Sequence, residues 1–354
     1  MSSPDLAIDV SVVVATFNRA AMLRETLRSL VELETDGAFA YEVLVVDNAS
    51  SDNTPQAITE FAAVDRRGSA VRVRGVREPS PGVSHARNRG VGEAAGDWVA
   101  FHDDDQVADP RWLAELVALA KRRSALVVGG AVKLKLPAGA KEPSARYLRQ
   151  MLGEKVGMPA EQPFNRRQIP GAGSLMIDRG VFDHVGLFDT DLEIGGEDAD
   201  LYRRIRAAGY EAWYTPKAIV HHLIPAKRLD SDYMRWTAAR HGQHVALREF
   251  LDWGPRKLPL VMAARLGQAT INYLPRYLAA RLTGDRDGAL AARCLMLRSQ
   301  SYLAKAWRLL LHGEGQQGAA DAALSLREGR ERLVGGQAPE AETPPRLVAT
   351  GPQE

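Results

Sequence analysis

The sequence predicts an α/β fold, a mostly parallel sheet flanked by helices, followed by an α-helical C-terminal segment. Three observations lead there. Short valine-rich runs alternate with helical periodicity through the first half of the chain. Those runs end in polar residues, at Thr16 to Arg19, Asp47 to Ser51 and Asp103 to Asp105. After about Ala226 the chain reads as helices only. A βαβα alternation produces parallel strands with helices on both faces. Ligands of such sheets bind at the carboxyl ends of the strands, so the three polar sets are expected at one edge.

Each element has its own signal. Val10 to Ala15 reads as a buried strand, and Asn18 as the cap of a helix with Leu23, Leu27 and Leu30 on one face. Tyr41 to Val46 is a second strand ending at Asp47. Thr54-Pro55 opens a second helix with Ile58 and Phe61 inward. In Ala70 to Val76, Arg72 and Arg74 alternate with valines, which predicts a more exposed strand. Ser84 to Ala95 reads as a helix and Trp98 to Phe101 as the next strand. Asp109-Pro110 suits a helix start, and Trp112 to Lys121 carries the helical pattern. Ala125 to Leu136 is strand-like, with a break expected at Gly129-Gly130. Four prolines mark Gly139 to Arg167 and its flanks as a loop-rich insertion. Gly195-Gly196 precedes a helix closed by Gly209, and Trp213 to Val220 is extended, ending at His221-His222.

The bulk numbers exclude several classes. The chain has 354 residues, 45% hydrophobic and 25% charged, as in a soluble globular protein. Its single cysteine, Cys294, cannot form an internal disulfide. Met1 to Ile8 lacks a basic region followed by an apolar stretch, so no signal peptide is expected. No uninterrupted apolar run reaches the roughly 18 residues a spanning helix needs. The net charge of +2 hides an asymmetry: residues 226–335 carry 18 Lys and Arg against 10 Asp and Glu. That basic segment predicts an anionic partner for it.

Asp103, Asp104 and Asp105 follow the apolar run Trp98-Val99-Ala100-Phe101. Three adjacent carboxylates at a strand end repel one another, and burying them is unfavourable unless a cation neutralises them. Mg²⁺ or Mn²⁺ commonly bridges one or two carboxylates to substrate phosphates. The cluster therefore suggests a metal–diphosphate site. A solvated acidic turn is the plainer alternative.

Taken in order, five segments resemble the family 2 glycosyltransferases with the GT-A fold: Val12 to Arg19, Val45 to Asp52, Ala86 to Gly90, Phe101 to Asp105, and Gly196-Glu197-Asp198. The resemblance runs from about Val10 to His222. It implies a GT-A catalytic domain at 1–225; the helical pattern gives an α-helical segment at 226–335, and four prolines with little apolar periodicity from Ala338 to Glu354 predict a disordered tail at 336–354. It implies an inverting, hexosyltransferase-type enzyme that moves a sugar from a nucleotide-diphosphate donor to a hydroxyl acceptor. Thr16, Arg19 and Asp47 would line the nucleotide pocket, Asp47 accepting from the base. Arg87 and Asn88 would face the donor, Arg87 offsetting diphosphate charge. Asp105 would contact Mn²⁺ or Mg²⁺ directly. Asp103 would lie nearer the ribose or a metal-bound water, with Asp104 between them. Asp198 would be the general base, with Glu197 orienting it or touching the acceptor. One of His221 and His222, with His222 preferred, would reach the metal.

The family's habits imply a saccharide or lipid-linked saccharide acceptor and a role in surface polysaccharide or glycoconjugate assembly. They imply a cytoplasmic location, peripheral on the inner face of the plasma membrane. The basic helices suggest contact with an anionic membrane surface, and packing on the catalytic domain is their other reading. No nucleic acid is expected as a partner. Two other readings compete with this one. A sugar-nucleotide pyrophosphorylase would need a glycine-rich triphosphate loop after the first strand, where this chain has Ala15-Thr16-Phe17-Asn18-Arg19. A catalytically silent nucleotide-sugar-binding scaffold is separated from an enzyme only by turnover.

Overall fold

Valine runs without alternation form strands covered on both faces, and that is how the first strand sits. In this computed structural model β1 (Val10–Thr16) is central, paired in parallel with β2 (Tyr41–Asp47) on one side and β4 (Trp98–Asp103) on the other. The structure describes residues 8–64, 71–156, 158–165, 168–192 and 196–312, all within the unit Met1–Gly313. The expected tail at 336–354, and the end of the helical segment from 313 to 335, lie outside the described residues.

β3 (Val71–Arg77) closes the sheet beyond β2 and buries only alternate residues, as its arginine–valine pattern predicts. Beyond β4 come β8 (Ser174–Asp178), β6 (Val127–Lys135) and β9 (Ala212–Leu223). The short strands β5 (Gln106–Ala108) and β7 (Gln162–Pro163) both pair with β9. β1 to β4, β6 and β9 run one way, while β5, β7 and β8 run the other. The sheet is thus mostly parallel, as expected.

The helices α1 (Ala20–Val31), α2 (Thr54–Ala62) and α4 (Trp112–Arg123) cover one face. Leu23, Leu27 and Leu30 are buried there against Val12 and Val14, with Trp112, Leu113 and Leu116. The helices α3 (Val83–Glu93), α6 (Arg179–Val185) and α7 (Glu197–Ala207) cover the other face. Val13, Leu44 and Phe101 pack there against Phe182, Leu201 and Ile205. Side chains that alternate across β1 thus enter two separate cores.

Three local expectations need correction. Asn18 does not cap α1: it has a positive φ of 51°, and its Oδ1 accepts from the Ser51 and Asp52 amides instead. The β1–α1 and β2–α2 loops are therefore tied together. Asp109 does not start α4; it accepts from the Arg111 amide at 3.1 Å, one turn before the helix. Gly129-Gly130 does not break β6, which continues through with a register shift against β9.

Within the insertion, α5 (Arg146–Met151) packs Leu148 and Leu152 against Ile224 after β9 and against α8 (Ser231–Trp253) and α11 (Arg286–His312). Between these long helices run α9 (Leu258–Gln268), a π-helical turn (Ala269–Tyr273) and α10 (Leu274–Leu282). Among the described residues no helix is long and apolar enough to cross a membrane.

Candidate active site

Three parallel strands end together. Thr16, Asp47 and Asp103 are the last residues of β1, β2 and β4, and Thr16 stands level with Asp47. Thr16 and Asp47 are buried. Asp47 Oδ1 accepts from the Ser50 amide at 3.0 Å within its own turn. Its neighbour Asn48 donates to the Ser80 carbonyl at 2.6 Å and accepts from the Gly82 amide, which anchors the approach to α3.

β4 stops at Asp103 because Asp104 and Asp105 turn the chain into β5. The Thr26 hydroxyl pins that turn, within reach of the Asp104 and Gln106 carbonyls. Arg19 Nη1 donates to Asp104 Oδ1 at 2.6 Å and to Asp105 Oδ2 at 2.8 Å. Burial pushes the Asp104 carboxyl up from its ordinary value, against the pull of Arg19. Burial acts the same way on Asp105. There it is outweighed by His222, Arg19 and Arg228, which hold the carboxyl well below the usual range. The two neighbours thus differ in the charge that faces them.

His222 Nε2 lies 3.3 Å from Asp105 Oδ2 and 3.2 Å from Arg228 Nη1. One tautomer serves only one of these: Nε2–H donates to Asp105, and a bare Nε2 accepts from Arg228. Of the two histidines at the end of β9, His222 is the one at the acidic cluster. His221 is half-buried, and its burial and then Lys133 push its pKa down.

Asp103 is the most open of the three aspartates, with 38% of its side chain exposed. Its Oδ1 accepts from Arg87 Nη2 at 3.2 Å and its Oδ2 from Gln106 Nε2 at 3.2 Å. Gly173 passes so close that a Cβ there would stand 2.4 Å from Asp103 Oδ2. Arg87 is buried on α3 and donates through Nη1 to Glu197 Oε1 at 2.6 Å. Burial alone would lower its pKa; Glu197 and Asp103 outweigh that and raise it, so the guanidinium stays charged. Its Cζ also lies over the Phe188 ring, 5.5 Å from the centroid.

Glu197 and Asp198 open α7. Gly196, at φ 99°, takes the left-handed turn that aims the chain there; Gly195 lies outside the described residues. Glu197 is buried with Arg87, whereas Asp198 is partly open, 3.4 Å from Lys155 Nζ. The helix dipole favours negative charge at this end.

Of the residues singled out in the sequence, Arg19, Arg87, Asp103, Asp104, Asp105, Glu197 and His222 meet in two linked ion-pair groups. Asn88 is spent elsewhere. Its amide donates to the Phe188 carbonyl at 2.8 Å and accepts from the Phe188 amide at 2.9 Å, so it fixes the loop under Arg87. Arg228, Lys155 and Gln106 were not anticipated. Arg228 counted only as part of a basic segment, and Lys155 lay in the loop-rich insertion.

Among the described residues no three His, Cys, Asp or Glu side chains are arranged to hold a metal by themselves. Asp105 Oδ2 and His222 Nε2 still make an oxygen–nitrogen pair that suits Mn²⁺, whereas Mg²⁺ would use the carboxylate alone, with other ligands supplied by phosphate and water. Asp103 adds an open carboxylate. The residues therefore fit a divalent ion shared with a bound diphosphate.

Residues 11–185 match the model of glycosyl transferase family 2. The uncharacterized protein y4gI of Sinorhizobium fredii is 32% identical over 245 residues, 63% of this chain and 25% of that protein. The chain thus spans a quarter of that relative's length. The succinoglycan biosynthesis protein ExoM of Rhizobium meliloti is 27% identical over 68% of this chain and 75% of its own length. Among solved structures, the mannosyltransferase PcManGT from Pyrobaculum calidifontis, in complex with GDP-Man and Mn²⁺, superposes with a TM-score of 0.52 at 26% identity. That match covers 88% of this chain and 91% of that one. Residues 11–185, the part of the chain that matches, belong to glycosyltransferase family 2.

Proposed function

We propose that this protein moves a sugar from a nucleotide-diphosphate donor to a hydroxyl acceptor with inversion, in surface polysaccharide or glycoconjugate assembly. The observation that carries the reading is the bridge made by Arg87. It ties the acidic strand end that suits a diphosphate to the helix start that carries the partly exposed carboxylate of Asp198. The complex of PcManGT with GDP-Man and Mn²⁺, and the succinoglycan biosynthesis protein ExoM, support donor type and pathway.

In this reading Thr16, Arg19 and Asp47 form the nucleotide side of the pocket within a catalytic domain at 1–225. Asp105 and His222, with Asp103, would hold Mn²⁺ or Mg²⁺. Such an ion neutralises diphosphate charge and stabilises the departing nucleotide. Arg19, which donates to Asp104 and Asp105, sets a positive charge beside the place proposed for the diphosphate. Asp198 accepts the proton of the attacking hydroxyl. Glu197, held by Arg87, fixes the start of α7 and with it the position of Asp198. Lys155 stands against Asp198 at the acceptor side. Asn88 contributes through Phe188 rather than by touching the donor.

The acceptor, a saccharide or lipid-linked saccharide, would be met in the cytoplasm at an anionic membrane surface, with the helices from Ser231 onward as the contact. The test is a panel of nucleotide sugars with the purified full chain, reading nucleoside diphosphate release with Mn²⁺ and with excess chelator. Release from at least one donor, lost in chelator, is the expected result.

A further inference from the structure

Away from the acidic cluster, α8, α10 and α11 line an open cavity of about 420 Å³. Its lining includes Arg235, Arg281, Arg286 and Arg293, with Tyr277 and the single carboxylate Asp285. Asp285 is engaged in capping, its Oδ1 accepting from the Gly288 amide at 2.9 Å. Arg235 is partly engaged by Ser231 and Asp232. Arg281, Arg286 and Arg293 make no ion pair with the described residues. Guanidinium groups converging on one hollow repel each other, and an oxyanion such as phosphate, whose oxygens match their forked donors, offsets several of them at once.

The rim is apolar. Leu274, Leu278 and Leu282 are 43%, 52% and 88% exposed and recur every four residues along α10. Ile271, in the π-helical turn before it, is 81% exposed. On α10 the pocket residues Tyr277 and Arg281 form the stripe next to those leucines, since adjacent residues of a helix point about 100° apart. A row of exposed leucines in water is unfavourable unless something covers it. An arginine-lined hollow beside an apolar ridge matches a bilayer surface, with phosphates at one level and acyl chains just below.

The cavity also lies close in sequence to the catalytic edge. Arg228 reaches Asp105 Oδ2 at 3.7 Å, and Ser231, which opens α8, already lines the cavity.

We infer that this cavity seats the phosphate of an anionic lipid headgroup while Leu274, Leu278 and Leu282 enter the bilayer surface. The inference rests on the membrane contact in the proposed function and gives it a location. Its partner is an anionic bilayer rather than free phosphate or a second copy of the chain.

The experiment is co-sedimentation of the full chain with phosphatidylcholine vesicles, with and without phosphatidylglycerol, at low salt. Three double variants are compared: Arg281→Glu with Arg293→Glu, Leu278→Ser with Leu282→Ser, and Lys121→Glu with Arg122→Glu on α4 as the charge-matched control. Thermal melting checks that each folds. Wild type and control should bind only the anionic vesicles, and the other two should bind at least tenfold more weakly. Wild-type binding unchanged in the arginine variant overturns the cavity assignment and leaves membrane contact standing. No binding of wild type to anionic vesicles overturns both, and the sugar-transfer assay still judges the catalytic reading on its own. Titration with inorganic phosphate and light scattering complete the test. Phosphate binding without vesicle binding, or a leucine variant that changes only the molecular mass, also overturns it.

Discussion

Arg87 and Glu197 stand 110 positions apart in the chain and meet through a 2.6 Å ion pair in the interior. The same guanidinium holds Asp103. A side chain on α3 thus fixes the distance between the end of β4 and the start of α7, the two places that would handle donor and acceptor. Removing one partner of such a buried pair leaves the other charged and unpaired. Arg87→Ala should therefore lower stability by about 3–5 kcal/mol. Arg87→Lys keeps the charge but loses the fork that reaches both carboxylates, and should reduce turnover with a smaller loss of stability. Melting curves and turnover of both variants check this. Turnover near wild type in Arg87→Lys would remove the coupling role.

Asp198→Asn preserves shape and removes the proton acceptor. Donor affinity, measured by calorimetry, should stay close to wild type while turnover falls at least about 10²-fold. Near-normal turnover would move the base elsewhere, with Glu197 then the candidate to examine.

At Gly173 the backbone passes close to Asp103 and Gln106. A methyl group there would meet Asp103 Oδ2 and Gln106 Nε2, each at 2.4 Å. Gly173→Ala should displace Asp103 and Gln106 at little cost in stability, because the atoms it meets are the far ends of side chains that can move. It should also weaken nucleoside diphosphate binding in Mn²⁺. Unaltered binding would mean that Asp103 need not stand where it does.

Glu42 sets a limit on acid stability. It is buried on β2, accepts from Ser11 Oγ at 2.6 Å and Arg74 Nε at 2.7 Å, and also from the Ala95 amide at 2.9 Å. Burial would raise its pKa, but the bonds from Arg74, Ser11 and Ala95 outweigh burial and lower it. A carboxylate lowered in the folded state stabilises above its ordinary value of 4.5. That contribution is lost as the pH falls through the folded value. Glu42→Gln should cost about 1–3 kcal/mol at pH 7, and the gap to wild type should narrow as the pH drops below about 4.5. A gap that stays constant with pH would contradict this.

Most of the scaffold was legible in the sequence because both faces of the central strands are covered. Val10 to Ala15 and Tyr41 to Val46 are nearly continuous apolar runs, and few other structures tolerate them. The aspartates were legible because they follow such a run directly. Arg228 and Lys155 were not, because their roles depend on where β9 and the insertion return to the sheet, and nothing local to them encodes that. Asn88 shows the converse. Its position beside Arg87 suggested the donor, whereas its amide matches the hydrogen bonds of the Phe188 backbone, a partner visible only in three dimensions. The helices after Ser231 gave charge and periodicity but not the cavity, which needs three of them together.

The most direct measurement is calorimetric titration of UDP and GDP into the full chain, in Mn²⁺ and in excess chelator, repeated with Asp105→Ala. The account predicts that at least one nucleotide binds in Mn²⁺, that chelator abolishes the binding, and that Asp105→Ala weakens it at least tenfold. Binding that survives chelator and is unchanged in Asp105→Ala would contradict a metal–diphosphate site at the end of β4.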